Sequence, residues 1–208
     1  MSQVLEFASS VVKNLPEVPE EVRKWWIENP LDLQAALGVL SQKPSPKLEV
    51  FKTIKLGTGL KNAHDFRNDF KGNSLNVSDW AYSMMENPAF VVAAEATEVD
   101  LVVVSVGELG FKKGARRDQI YERAKELGLE LCPPEVGPQL RRQYADQPLN
   151  EWLIIGMEPI RDSGGGLSVF NVVHDAGGLW LAGDCGRPAY VWGAGIRWVF
   201  VRPRKCLK

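Results

Sequence analysis

Residues 151–204 read EWLIIGMEPIRDSGGGLSVFNVVHDAGGLWLAGDCGRPAYVWGAGIRWVFVRPR, and this stretch decides the fold class. Its apolar residues recur with a period of two, the repeat of a strand with one face covered. WLIIGMEPI, LSVFNVVH, LWLA and IRWVFVRPR read as four strands. SGGG joins the first two and DAGG the next two, and glycine pairs of this kind favour tight hairpins. GDCGRPAYVWGAG is a longer connection before the last strand. The expectation is an antiparallel β-meander of about four strands.

Upstream the period is helical. Residues 2–15 place Val4, Ala8, Val11 and Leu15 on one face behind a Ser2 cap, and Pro16 stops them. Pro19 suits the first turn of a second helix, EEVRKWWIEN, with two acids at its positive end. Pro30 breaks that helix, and LDLQAALGVL continues as a third. Residues 1–41 thus predict a helical hairpin or bundle, followed by a linker, QKPSPK, at 42–47.

From residue 48 the pattern predicts a strand at 48–57 and a helix capped by Asn62 with Asp65 three residues on. A helix capped by Ser78 and ending before Pro88 follows. DLVVVSVGELGF suits a strand over 101–106, although its length would also suit a helix. ARRDQIYERAKELGLELC carries Ile120, Ala124 and Leu127 as an apolar helical stripe ended by Gly128. A two-turn helix after Pro133-Pro134 ends near Tyr144. The fold class expected is α+β, with a helical N-terminal region over 1–41 and an α+β domain over 48–208 whose antiparallel sheet spans 151–204.

The 208 residues are 45% hydrophobic and 25% charged, with a net charge of -1. Such a chain can bury enough apolar surface to offset its ordering entropy. A near-neutral balance speaks against a dedicated nucleic-acid binder, though a local basic patch can hide within it. Cys132, Cys185 and Cys206 form no CxxC pair, which removes zinc ribbons and dithiol redox motifs and fits a reducing compartment. No apolar run approaches the ~20 residues that cross a bilayer, and the N-terminus is a poor signal peptide. A cytoplasmic protein without membrane, metal or cofactor is the expectation.

Candidate chemistry falls into three groups. His174, Asp184 and Cys185 could supply a base, an orienter and a nucleophile, with Asp175 as a second orienter. Yet strands pairing around DAGG would set the imidazole and the thiol about 20 Å apart. KLGTGLKNAH, residues 55–64, has a strand, a Gly57-x-Gly59 turn and a helix start that could cradle a phosphate beside Lys55 and Lys61. It lacks the third glycine of a dinucleotide fingerprint and the Gly-Lys-Ser/Thr of a Walker loop. The basic residues Arg116, Arg117, Arg141 and Arg142 lie among acids on helices, while Trp180, Trp192 and Arg187 lie in the C-terminal sheet region. Arginines interleaved with aromatics can hold a peptide side chain, a base or a phosphate.

Several phrases taken together resemble a family of hypothetical proteins from uncultured bacteria: WWIENPLDLQAAL, TIKLGTGLKNAHDF, GFKKGARRDQIYERAKELGLELCPPEVGPQLRRQY, EWLIIGMEPI and RWVFVRPR. The resemblance spans nearly the whole chain. It implies a single evolutionary unit, and the family has no assigned activity and so no catalytic residues to carry over. GDCGRPAYVWGAG departs from the family pattern, which weakens any case built on Cys185.

Two functions follow as expectations. The first is a non-enzymatic binding module for a peptide, a protein or a nucleic acid, using Arg116, Arg117, Arg141, Arg142, Trp180, Trp192 and Arg187. The second is a small hydrolase using Cys185, His174 and Asp184.

Overall fold

A computed structural model of the protein describes residues 3–14, 16–38 and 48–204. The chain divides into two compact units, Met1–Pro44 and Ser45–Lys208. In the first, α1 (Gln3–Lys13), α2 (Glu20–Glu28) and α3 (Pro30–Gly38) follow one another. Prolines set two of these starts. Pro19 occupies the N-cap of α2, and Pro30 is the first residue of α3, where its missing N–H has no helical partner to lose. The Asn29 N–H closes α2 on the Trp25 carbonyl at 2.9 Å. None of the residues of α2 is buried. The linker expected at 42–47 lies outside the described residues, as do Ser2, Leu15 and Cys206.

The second unit carries the sheet. Its strands are β1 (Lys52–Leu56), β2 (Asn76–Val77), β3 (Thr97–Ser105), β4 (Ala115–Arg116), β5 (Trp152–Ile155), β6 (Ile160–Arg161), β7 (Leu167–Asp175), β8 (Gly178–Cys185), β9 (Val191–Trp192) and β10 (Arg197–Arg202). Between them lie α4 (Ala63–Gly72), α5 (Asp79–Glu86), α6 (Arg117–Glu126) and α7 (Val136–Gln143). Asn62 caps α4 by accepting from the Asp65 N–H at 3.0 Å, and Ser78 caps α5 by accepting from the Ala81 N–H at 3.2 Å.

The expected four-stranded antiparallel meander is overturned. One mixed sheet of eight strands runs β1-β3-β10-β5-β7-β8-β2, with β6 added on β7, while β4 and β9 form a separate pair. Two of its pairings are parallel, β10 with β5 and β2 with β8. The glycine turns do make hairpins, since β6 and β8 both return antiparallel onto β7. The chain then departs from a meander, because β10 crosses over and inserts between β5 and β3. β10 is apolar on both faces, with Trp198, Val199, Phe200 and Val201 all buried, and a strand like that belongs in a sheet centre with neighbours on each side. β3 supplies one neighbour through six consecutive register pairs from Ser105 to Asp100.

Helices cover both faces. Trp198 and Phe200 meet Tyr121 of α6 at ring separations of 5.6 and 6.0 Å. On the opposite face α7 comes so near β7 that a Cβ on Gly137 would lie 2.7 Å from the Phe170 side chain. Phe66, Phe70, Phe90 and Phe170 continue that core edge to face. The free edge of β1 is closed by a side chain: Gln143 accepts from the Lys55 N–H at 2.9 Å and donates to the Lys55 carbonyl at 2.8 Å. An amide group on the outer edge imitates one rung of a further strand and blocks pairing there. No helix among the described residues is long and apolar enough to cross a membrane.

Candidate functional site

The β7–β8 hairpin decides the fate of the Cys/His/Asp constellation. His174 pairs with Leu179 and Cys185 with Ser168, in an unbroken antiparallel register. Six positions of β8 therefore separate the rung of the imidazole from the thiol, about 20 Å along the strand. Asp184 is adjacent to Cys185, so strand alternation turns it to the opposite face. Its Oδ1 accepts from the Cys185 N–H at 2.7 Å. The His174 Nδ1 lies 2.6 Å from the Gln147 carbonyl. A nucleophile, a base and an orienter need hydrogen bonds between their side chains, and the one bond among these three runs from a backbone N–H. The constellation named from the sequence does not assemble.

The basic and aromatic candidates fare differently. β4 pairs with β9, setting Arg116 beside Val191 and Ala115 beside Trp192. The strap continues into the helix: the Arg117 N–H donates to the Tyr190 carbonyl at 3.0 Å and the Asp118 N–H to the Pro188 carbonyl at 3.2 Å. Gly114 makes this approach sterically allowed. Its φ is +89°, and a Cβ there would lie 2.5 Å from the Trp192 carbonyl oxygen. Arg116, Arg117, Arg187 and Trp192, far apart in sequence, thus meet at one corner.

Within that corner the rings form a chain. Tyr190 meets Trp192 at 5.0 Å, Trp192 meets Trp198 at 5.2 Å, and Trp198 meets Tyr121. The Arg117 guanidinium lies over the Tyr121 ring, 4.5 Å from its centre, a favourable cation–π placement. The Tyr121 hydroxyl donates to the Met157 carbonyl at 2.7 Å. Burial pushes that phenol well above the ordinary tyrosine range, while Arg117 beside it acts in the opposite sense.

Of the buried side-chain polar atoms without a hydrogen-bond partner among the described residues, three lie in this corner and three elsewhere, on Arg141, Asn171 and Trp180. Arg117 is 8% exposed, makes no ion pair with a carboxylate among the described residues, and leaves its buried Nε without a partner. The buried indole N–H groups of Trp192 and Trp198 have no acceptor either. Buried donors in folded proteins are almost always paired, and of these three Arg117 is the most exposed, while Trp198 is wholly buried in the core. The rim is open. Tyr190 and Val191 are 39% and 61% exposed, and the Arg187 Nε donates to the Cys185 sulfur at 3.4 Å. Arg116 is already matched, because its guanidinium grips Asp118 and holds that carboxyl below its ordinary range.

The other three expected binding residues sit elsewhere. Trp180 lies beside the 175–178 turn, seven residues along the chain from Arg187. Arg141 is fully buried and donates to the Gln147 side chain and to the Tyr144 and Val173 carbonyls, which makes it a structural tie. Arg142 is bidentate on Asp69 at 2.7 and 2.9 Å and donates to Thr58 and Gln139. Tyr121 was missed from sequence, although its position four residues after Arg117 on a helix is the spacing at which two side chains meet. Among the described residues, no group of three or more His, Cys, Asp or Glu side chains could hold a metal ion.

Compared with known proteins, the chain matches no family model, no curated protein and no solved structure.

Proposed function

We propose that this protein is a binding module that captures a peptide segment carrying one acidic side chain beside an apolar one. The observation that carries the reading is Arg117: a guanidinium stacked on Tyr121, almost wholly buried, without a counter-ion among the described residues. A buried cation without a partner is costly, and a ligand carboxylate is the group that relieves it with two parallel hydrogen bonds. The apolar neighbour in the ligand lies over Tyr190 and Val191.

Charge balance favours a peptide over a nucleic acid. Arg116, Arg117 and Arg187 stand among Asp118, Glu122 and Glu158, three charges of each sign. Polyanions bind through a surplus of phosphate contacts, and this corner has no surplus. A single carboxylate needs only the one open guanidinium. The free thiols of Cys132 and Cys185 suit a reducing compartment, and we place the module in the cytoplasm.

Panning a random heptapeptide library on the full chain tests the reading. The expected consensus pairs Asp or Glu with an aromatic or aliphatic neighbour, and Arg117→Met abolishes its enrichment. Enriched peptides without an acidic residue, or no enrichment, would refute the reading. So would single-stranded DNA binding whose affinity falls steeply with salt while peptides fail to bind.

A further inference from the structure

The loop running from Gly57 to Lys61 faces the segment from Phe90 to Ala94 across a cavity of about 530 Å³. Gly59, Leu60 and Lys61 line one side, and Phe90, Val92 and Ala94 the other. The volume lies within the range of small-ligand sites, roughly 300–1,000 Å³. This is the stretch whose sequence has the cast of an anion cradle, and peptide capture at the α6 corner makes no use of it.

Both walls are fixed by one fully buried carboxylate. Glu135 Oε1 accepts from the Gly57 N–H at 2.9 Å and from the Gln139 side chain at 2.7 Å, and Oε2 accepts from the Ala93 N–H at 2.8 Å. Thr58 is anchored as well, its hydroxyl accepting from Gln139 at 2.7 Å and from Arg142 at 3.0 Å. Gly57 has φ +64°, and a Cβ there would lie 2.2 Å from the Glu95 carbonyl oxygen, so only glycine lets the walls close this far. A buried polar network that is fully satisfied rigidifies what it touches, and this one holds the mouth of a cavity.

Other donors of the loop are unused. The backbone N–H groups of Thr58, Gly59 and Leu60 donate to nothing among the described residues, and Lys61 makes no ion pair among them. Two neighbouring amides are already taken: the Asp65 N–H in the first turn of α4 goes to Asn62, and the Lys61 N–H before the helix goes to Asp65 at 2.9 Å. Successive free amides in a turn with positive φ form an anion-binding concavity.

We propose that this cavity binds a small organic monoanion, its charge held by the Gly59 and Leu60 amides and Lys61 and its apolar body packed against Phe90 and Val92. The Asp65 carboxylate at the loop and the Glu135 carboxylate beneath it oppose a polyanion such as a triphosphate. One negative charge is matched by Lys61.

1-Naphthoate titrated into the full chain, followed by backbone amide NMR, tests the site. The expected result is saturable movement of the Gly59 and Leu60 amide signals. The neutral isostere 1-naphthamide, and acetate, which has the charge without the body, bind at least about tenfold more weakly. Lys61→Gln weakens naphthoate about fivefold, and Ala94→Trp, which fills the cavity from an exposed position, removes it; both variants keep the remaining amide spectrum. No saturation at these amides up to about 10 mM overturns the proposal, as does equal affinity for naphthoate and naphthamide.

Discussion

Arg141 and Arg117 are both buried arginines without a carboxylate partner among the described residues, and they are buried for opposite ends. Arg141 spreads its terminal nitrogens over three neutral oxygens, from Gln147, Tyr144 and Val173, tying the end of α7 and the chain after it to β7. Burial draws its pKa down to about 10. Arg117 leans on the Tyr121 ring and pairs with no carboxylate among the described residues. The Nε of each is buried without a partner, but the fold takes up the terminal nitrogens of Arg141 and not those of Arg117, which separates a structural knot from a binding group although both are basic residues on helices.

The largest expected effect comes from breaking the member whose terminal nitrogens the fold takes up. Arg141→Met leaves the Gln147, Tyr144 and Val173 oxygens without their donor, and buried unpaired acceptors cost about 1–3 kcal/mol each. Relief of the desolvated charge offsets part of that loss. A net destabilisation of about 3 kcal/mol is expected, read as a lower urea midpoint at unchanged slope. A loss below about 1 kcal/mol would show that water reaches those oxygens and would erase the contrast with Arg117.

Gly114→Ala attacks the frame of the open member. Its Cβ would sit 2.5 Å from the Trp192 carbonyl at a backbone φ of +89°. The β4–β9 pair has only two rungs and cannot absorb the strain, so about 2 kcal/mol of stability is expected to go, together with peptide affinity. Arg117→Met takes a third course. It removes an unpaired buried charge and keeps the apolar stem over Tyr121, so stability changes by less than about 1 kcal/mol or rises, while peptide capture is lost. Thermal melts and peptide titrations on the same samples check both variants. A Met variant as unstable as Arg141→Met would place Arg117 in the fold.

Sequence alone could see the elements better than their partners. The SGGG and DAGG turns, the Asn62 and Ser78 caps and the helix after Ala115 are written in local chemistry, which acts within a few residues. The insertion of β10 between β3 and β5 depends on residues about 40 and 100 positions away, and period-two alternation does not say which strand a strand will choose. The same limit governed the site. Arg116, Arg117, Arg187 and Trp192 could be named as residue types able to bind, but their meeting depends on Gly114 permitting β4 to lie against β9. Arg141 and Arg142 look identical in sequence, and only the carbonyls around one and Asp69 beside the other show that the fold has used them.

An exposed arginine supplies the third term of the comparison and the smallest effect. Arg204 holds Asp100 with two bonds of 2.9 Å, and Thr53 donates to the same carboxylate at 2.6 Å. Those hydrogen bonds, first Arg204 and then Thr53, lower the Asp100 pKa from 3.8 to about 2. The folded value lies below the unfolded one, so whatever stability the pair contributes is fully present above pH 3.8 and is lost as pH falls through 2. An exposed pair is screened, and its weight in the fold is small even where its pKa shift is clear. Following the Asp100 carboxyl carbon by NMR should give a midpoint near 2 that moves toward 3.8 in Arg204→Ala and partway there in concentrated salt. The urea midpoint at pH 7 should barely change. If Arg204→Ala leaves the Asp100 titration in place, the pairing does not hold in solution; if it costs as much stability as Arg141→Met, solvent exposure is not what separates the three arginines.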